Sequence, residues 1–254
     1  MSQPLPSKRK QLHQLVTEKN HWSGRQLTAD ERALGFLGWH ERGYLPHCDF
    51  PNLIQFVTFR LADSLPAARR GEWEQLLEIE DVRERRTQLE DYLDRGLGEC
   101  RLRDMPMAEL TESALRHFHH DRYELLAWCV MPNHVHVLVD VRITPLWKIV
   151  QSWKRFIQTQ ANLSTERQSP TRPDDASQPP GRRPALRQAG DVASLSALCW
   201  QREYWDAFMR DEAQQRKAVH YIENNPVKAK LCRTAKAWPG SGARRRDEYE
   251  RLLL

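Results

Sequence analysis

Between Tyr123 and Val141 the chain reads YELLAWCV, Met131, Pro132-Asn133, HVHVLVDV. Two apolar runs of strand length flank a Pro-Asn turn, so this stretch is expected to form a β-hairpin with strands Tyr123–Val130 and His134–Val141. No other part of the chain limits the fold as tightly. A hairpin with an apolar face needs further strands or helices to cover it. NLIQFVTFRL, from Asn52 to Leu61, is rich in β-branched and aromatic residues. It reads as a third strand with Leu53, Gln55, Val57, Phe59 and Leu61 on one face. WQREYWDAFM from Trp200 supplies a further extended segment.

Helical periodicity occupies the remaining ordered stretches. Pro66 opens a highly charged run from Ala67 to Leu97, whose apolar stripe is Trp73, Leu76, Leu77, Leu89, Tyr92 and Leu93. A second helix is expected from about Met107 to Phe118. A third, capped by Thr144 with Pro145 at its first position, runs to about Asn162 and buries Leu146, Ile149, Val150, Trp153 and Ile157. A fourth starts at Asp211 and stops before Pro226. Residues 1–50 read as an N-terminal arm, 51–163 with 199–238 as a single domain, and 239–254 as a frayed basic tail. Residues 164–198 carry five prolines (Pro170, Pro173, Pro179, Pro180 and Pro184) and few large apolar residues, and are expected to be a disordered insertion.

Composition narrows the function classes. The 254 residues have 39 Lys+Arg against 34 Asp+Glu, a net charge of +5, which permits a nucleic-acid partner. A mean hydropathy of −0.74 argues against a membrane protein. The start, MSQPLPSKRKQLHQ, lacks an apolar signal core, so a cytoplasmic location is expected. The five cysteines form no C-x-x-C pair, which argues against a zinc ribbon or a disulfide scaffold.

Two constellations carry chemistry. In His134-Val135-His136 the two imidazoles share one face of a strand, the geometry of paired ligands on one metal. A bare His-x-His is more often two ordinary surface histidines, but the apolar strands and Pro-Asn turn that flank this one hold it rigidly at a strand start. Tyr221 and Asn225 stand four apart in HYIENNPVKAK, on one helix face. A tyrosine hydroxyl can attack a phosphodiester, and an amide oxygen beside two imidazoles suits Mg²⁺ or Mn²⁺. The plain alternative is a helix tyrosine against the sheet and an asparagine capping the helix before Pro226. Lys148, Lys154, Arg155, Arg202 and Lys228 are candidate DNA contacts, with Trp147, Trp153, Trp200 and Trp205 interleaved among them.

The stretches QFVTFRLADSLP, AWCVMPNHVHVLV, SWKRFIQTQAN, WQREYWDAFMRD and YIENNPVKAKL resemble, in order, the REP-associated tyrosine transposases, within the HUH endonuclease superfamily. The Arg42–His47 run is similar to that family's amino-terminal motif, with His47 a possible base contact. The resemblance implies an α/β, ferredoxin-like antiparallel sheet with helices on one side. It implies His134 and His136 as metal ligands, Tyr221 as nucleophile and Asn225 where insertion-sequence relatives carry a glutamine ligand. The implied substrate is single-stranded, hairpin DNA of REP-like palindromes in a bacterial, nucleoid-associated setting, cut through a 5′-phosphotyrosine by a monomer or homodimer. A hairpin-binding protein without catalysis and a water-using phosphodiesterase are the alternatives. Lys230 stands where the family pattern NPVKAG has glycine.

Overall fold

The computed structural model describes residues 25–41, 46–168 and 198–253. In chain order the principal elements are α1 (Ala29–Leu34), β1 (Gly38–Glu41), β2 (Pro46–Asp49), β3 (Leu53–Arg60), α2 (Arg70–Leu77) and α3 (Val82–Asp94). They continue with α4 (Met105–Arg116), β4 (Tyr123–Val130), β5 (His134–Val141), α5 (Leu146–Gln168), β6 (Trp205–Phe208) and α6 (Glu212–Lys228). The main sheet has the order β4-β5-β3-β6 and is antiparallel throughout. With α4 between β3 and β4, and α5 between β5 and β6, this is the β-α-β-β-α-β arrangement of a ferredoxin-like fold. β1 and β2 form a separate two-stranded ribbon.

Side-chain alternation divides the sheet into two faces. Val57 and Phe59 of β3 and Val135, Val137 and Val139 of β5 pack against Leu115 of α4 and Ile149, Trp153 and Ile157 of α5. Inside this layer the indole N–H of Trp153 donates to Tyr123 Oη (2.7 Å), which donates to the Leu115 carbonyl (2.8 Å), so these two side chains are satisfied. On the other face Phe56, Ala127, Cys129 and Leu138 meet Ile222 of α6. A register shift between Leu125 and Ala127 returns Trp128 and Val130 to the first face. Helices on one side therefore describes α4 and α5, while α6 crosses the opposite face.

Several element boundaries differ from the sequence reading. The helical run expected from Ala67 to Leu97 is broken, because the Asp81 carboxylate accepts the Glu84 N–H (2.8 Å) and starts α3 anew. The first N–H of α5 goes to Asp49, with Leu146 N donating to Oδ1 (3.0 Å), instead of to a Thr144 cap. The other Asp49 oxygen accepts the Leu37 N–H (3.0 Å), which ties the segment after α1 to the start of α5. α5 continues through Gln168, so residues 164–168 are helical; 169–197, the rest of the expected insertion, lie outside the described residues.

α6 does not stop before Pro226. It continues to Lys228, because a proline in the last turn forfeits one N–H bond only. The end is a Schellman closure: Lys230 N donates to the Val227 carbonyl (3.0 Å) and Leu231 N to the Pro226 carbonyl (2.8 Å), with Lys230 at φ +58°.

The tail is not frayed. Val130 N donates to the Gly240 carbonyl (2.8 Å), and a Cβ on Gly240 would lie 2.8 Å from Val130 Cβ. Partly buried Arg246 grips Glu223 through Nε (2.8 and 3.0 Å) and donates Nη2 to the Leu126 carbonyl (2.9 Å). Charge that reads as solvated in one dimension is here a partly buried, bidentate pair.

Two substitutions check these closures in opposite directions. Lys230→Gly relieves a left-handed backbone and should stabilise the protein by about 0.5–1 kcal/mol, a rise in Tm of roughly 1–4 °C. Asp49→Ala leaves two N–H groups without their acceptor and should cost about 1–3 kcal/mol. Thermal and urea unfolding measure both.

Candidate active site

His134 and His136 open β5, and the alternation that sends Val135 into the α4–α5 core turns both imidazoles toward α6. Each is 1% exposed. The solvent-facing pair expected from sequence is instead a buried one, because α6 lies over it. The rings meet edge to face at 4.6 Å, with Nε2 to Nε2 at 3.0 Å.

The tautomer of His134 follows from its neighbour. Asn133 Nδ2 donates to the carbonyls of Leu93 (3.3 Å) and Leu97 (3.0 Å), so its Oδ1 faces His134 Nδ1 at 2.8 Å. A carboxamide oxygen only accepts, so Nδ1 carries the proton and Nε2 presents a lone pair. Burial, reinforced by the charge of Arg60, pushes the His134 pKa down to about 3, so the ring is neutral near pH 7. His136 Nδ1 bonds Thr58 Oγ1 (2.8 Å), its partner across β3.

α6 brings Tyr221 and Asn225 to the same place. Asn225 Nδ2 lies 3.2 Å from His136 Nε2 and 3.2 Å from Tyr221 Oη. Its Oδ1 is buried and, among the described residues, without a hydrogen-bond partner. Two imidazole nitrogens at 3.0 Å with a spare amide oxygen beside them form a donor set that fits a borderline-to-hard divalent ion.

α3 adds two carboxylates that the sequence reading missed. Glu90 Oε2 accepts the Tyr221 hydroxyl at 2.7 Å. One turn on, Asp94 Oδ1 lies 3.9 Å from His134 Nε2, and Lys228 Nζ lies 3.5 Å from Asp94 Oδ2. Burial pushes the Asp94 pKa up to about 6, with Lys228 opposing it. The available signal was the four-residue spacing of Glu90 and Asp94, but a helix this charged reads as solvated.

The candidate DNA contacts are dispersed. Lys148 Nζ donates to the Leu34 carbonyl (3.0 Å) at the end of α1, and Lys154 Nζ donates to the carbonyls of Gln201, Arg202 and Glu203 (2.9–3.4 Å). Arg155 and Arg202 are exposed, Arg155 on α5 in the layer opposite Tyr221. Lys228 stands at the site, paired with Asp91 at 2.7 Å. Trp153 and Trp200 are buried in the core, which removes them as stacking platforms, while Trp147 and Trp205 are partly buried. His47 is buried on β2, bonded to Asp206, and not at a turn; Arg42–Leu45 lie outside the described residues. Tyr123 and Tyr204 are buried in the α4–α5 core, so of the matched tyrosines within the described residues Tyr221 is the one beside the histidines.

No family model matches this chain. Over 128 residues it is 27% identical to a protein of Haemophilus influenzae described as "Putative REP-associated tyrosine transposase". That match covers 50% of this chain and 62% of the relative, so the chain spans less than two thirds of the relative's length. A solved structure of a REP-associated tyrosine transposase bound to a REP hairpin covers 82% of this chain and 84% of its own, at 15% identity and a TM-score of 0.43. By the sequence match the chain is similar to a REP-associated tyrosine transposase, as its motifs are. No helix among the described residues is long and apolar enough to cross a membrane.

The donor set has a direct check. At about 100 times its Kd, Mn²⁺ should stabilise the protein by about 2.7 kcal/mol. His134→Ala and His136→Ala should abolish that gain, read as a Tm shift that EDTA reverses. An equal shift in either variant would place the ion elsewhere.

Proposed function

We propose that this chain is a metal-dependent single-stranded DNA endonuclease and strand transferase acting on hairpin, REP-like palindromic DNA. The observation that carries the reading is Asn225, whose side chain contacts both His136 Nε2 and Tyr221 Oη at 3.2 Å within one chain. That contact supports reading Tyr221 as the nucleophile, next to nitrogens suited to hold a divalent ion. The names of the similar proteins support the substrate class.

In this reading Tyr221 Oη attacks the scissile phosphorus, leaving a 5′-phosphotyrosine and a free 3′-OH. A second 3′-OH displaces the tyrosine and joins strands, so the number of phosphodiester bonds is conserved. His134, His136 and Asn225 would hold Mg²⁺ or Mn²⁺, which supplies charge stabilisation to the phosphate. Asn133 and Thr58 keep the imidazoles oriented for that role. Tyr221 acts on DNA bound by its own subunit in this reading, since its hydroxyl meets Asn225 and its ring lies edge-on to His136 at 5.8 Å within one chain. Exposed Arg155 and Arg202, with Lys228 at the rim, contribute phosphate contacts.

The test uses a labelled hairpin with a single-stranded flank and Mg²⁺ or Mn²⁺. Label should remain on the denatured wild-type protein through its 5′ phosphate and map to Tyr221. Tyr221→Phe should bind the hairpin and form no adduct, and EDTA should abolish cleavage. Cleavage without an adduct would make water the nucleophile. Hairpin binding without cleavage under any metal would leave a non-catalytic DNA-binding protein.

A further inference from the structure

We propose that Glu90 is the proton acceptor that activates Tyr221; this rests on the reading of Tyr221 as the nucleophile. A free tyrosine has a pKa of about 10, so fewer than about one in a hundred is ionised at neutral pH. A hydroxyl that must attack phosphorus needs a base within hydrogen-bond reach. Glu90 Oε2 meets that condition at 2.7 Å, as the acceptor of the Tyr221 O–H. Glu90 is also 6% exposed, which limits competition from water for the same proton.

The two helices are matched for this contact. Tyr221 and Asn225 are four apart on α6, and Glu90 and Asp94 four apart on α3. One turn holds nucleophile against carboxylate, while the next faces the histidine pair. Other ionisable groups around the Tyr221–Glu90 pair are engaged differently. Asp91 and Asp94 of α3 pair with Lys228 of α6, whose Nζ is 5.9 Å from the Tyr221 ring centre. His136 of β5 lies edge-on to that ring at 5.8 Å, with Nε2 at Asn225, and His134 Nε2 faces His136. Asn225 Nδ2 donates to Tyr221 Oη, so the oxygen keeps a donor as its proton leaves.

The step balances as follows. An Oη lone pair forms the bond to phosphorus while the Oη proton passes to Glu90 Oε2. The bond from phosphorus to the 3′ oxygen breaks, its electron pair stays on that oxygen, and water supplies the proton of the 3′-OH. In strand joining an incoming 3′-OH attacks phosphorus and loses its proton to water. The electron pair of the phosphorus–tyrosine bond returns to Oη, which recovers the proton from Glu90.

Glu90→Gln is the deciding variant, because its carbonyl still accepts the Tyr221 hydrogen bond but does not take the proton. Adduct formation at pH 7 should fall about 100-fold or more, with hairpin affinity and Tm close to wild type. The deficit should shrink as pH rises toward the tyrosine's own ionisation. A purely structural glutamate would not produce a deficit that shrinks with rising pH at unchanged hairpin affinity. Glu90→Asp, which keeps the charge but draws it back, should also be slow, and serves if the glutamine variant unfolds. Wild-type rates in Glu90→Gln, or a deficit that does not change with pH, overturn the assignment of Glu90 alone. Absence of an adduct in wild type overturns the tyrosine mechanism itself, and Glu90's role with it.

Discussion

Strand alternation at β5 is the constraint from which the rest follows. Its valines form the floor of the α4–α5 core, and their burial fixes the strand's orientation; a slip of one residue would exchange valines and histidines between the faces. The imidazoles are therefore placed by hydrophobic packing on the side they do not occupy. At roughly 1.5–3 kcal/mol for each large buried apolar side chain, that packing outweighs the cost of holding two polar rings away from water.

Those polar rings are then oriented by specific bonds. Asn133 commits its amide nitrogen to the carbonyls of Leu93, in the last turn of α3, and of Leu97 just beyond it, which leaves only its oxygen for His134. The same carboxamide joins the β-hairpin turn to the end of α3, the helix that delivers Glu90 and Asp94. Turn, histidine tautomer and carboxylate placement thus share one side chain. Covering this face with α6 desolvates the site, so His134 stays neutral and Asp94 is held less acidic than a free carboxylate.

Much of this was legible in one dimension. Period-two apolar runs gave the hairpin and β3, and the His-x-His and Tyr-x₃-Asn spacings gave the two faces that meet. The misread boundaries share a cause, since each depends on a distant or side-chain partner. α5 begins where Asp49 meets it, α3 restarts at the Asp81 carboxylate, and α6 tolerates Pro226 because its end is closed by Lys230 and Leu231. The basic tail was taken as solvated, but Arg246 finds Glu223 on α6.

By itself the sequence determined the strands and the spacing of four candidate site residues, because periodicity and spacing are local properties written along the chain, while the ferredoxin-like order came from the resemblance of its motifs. Tertiary structure decided that the histidines are buried, that Lys154 is spent on backbone carbonyls, and that Glu90 and Asp94 face inward. These depend on which surfaces of separate helices come together when apolar faces are buried, and a charged helix face carries no local mark of the partner it will meet.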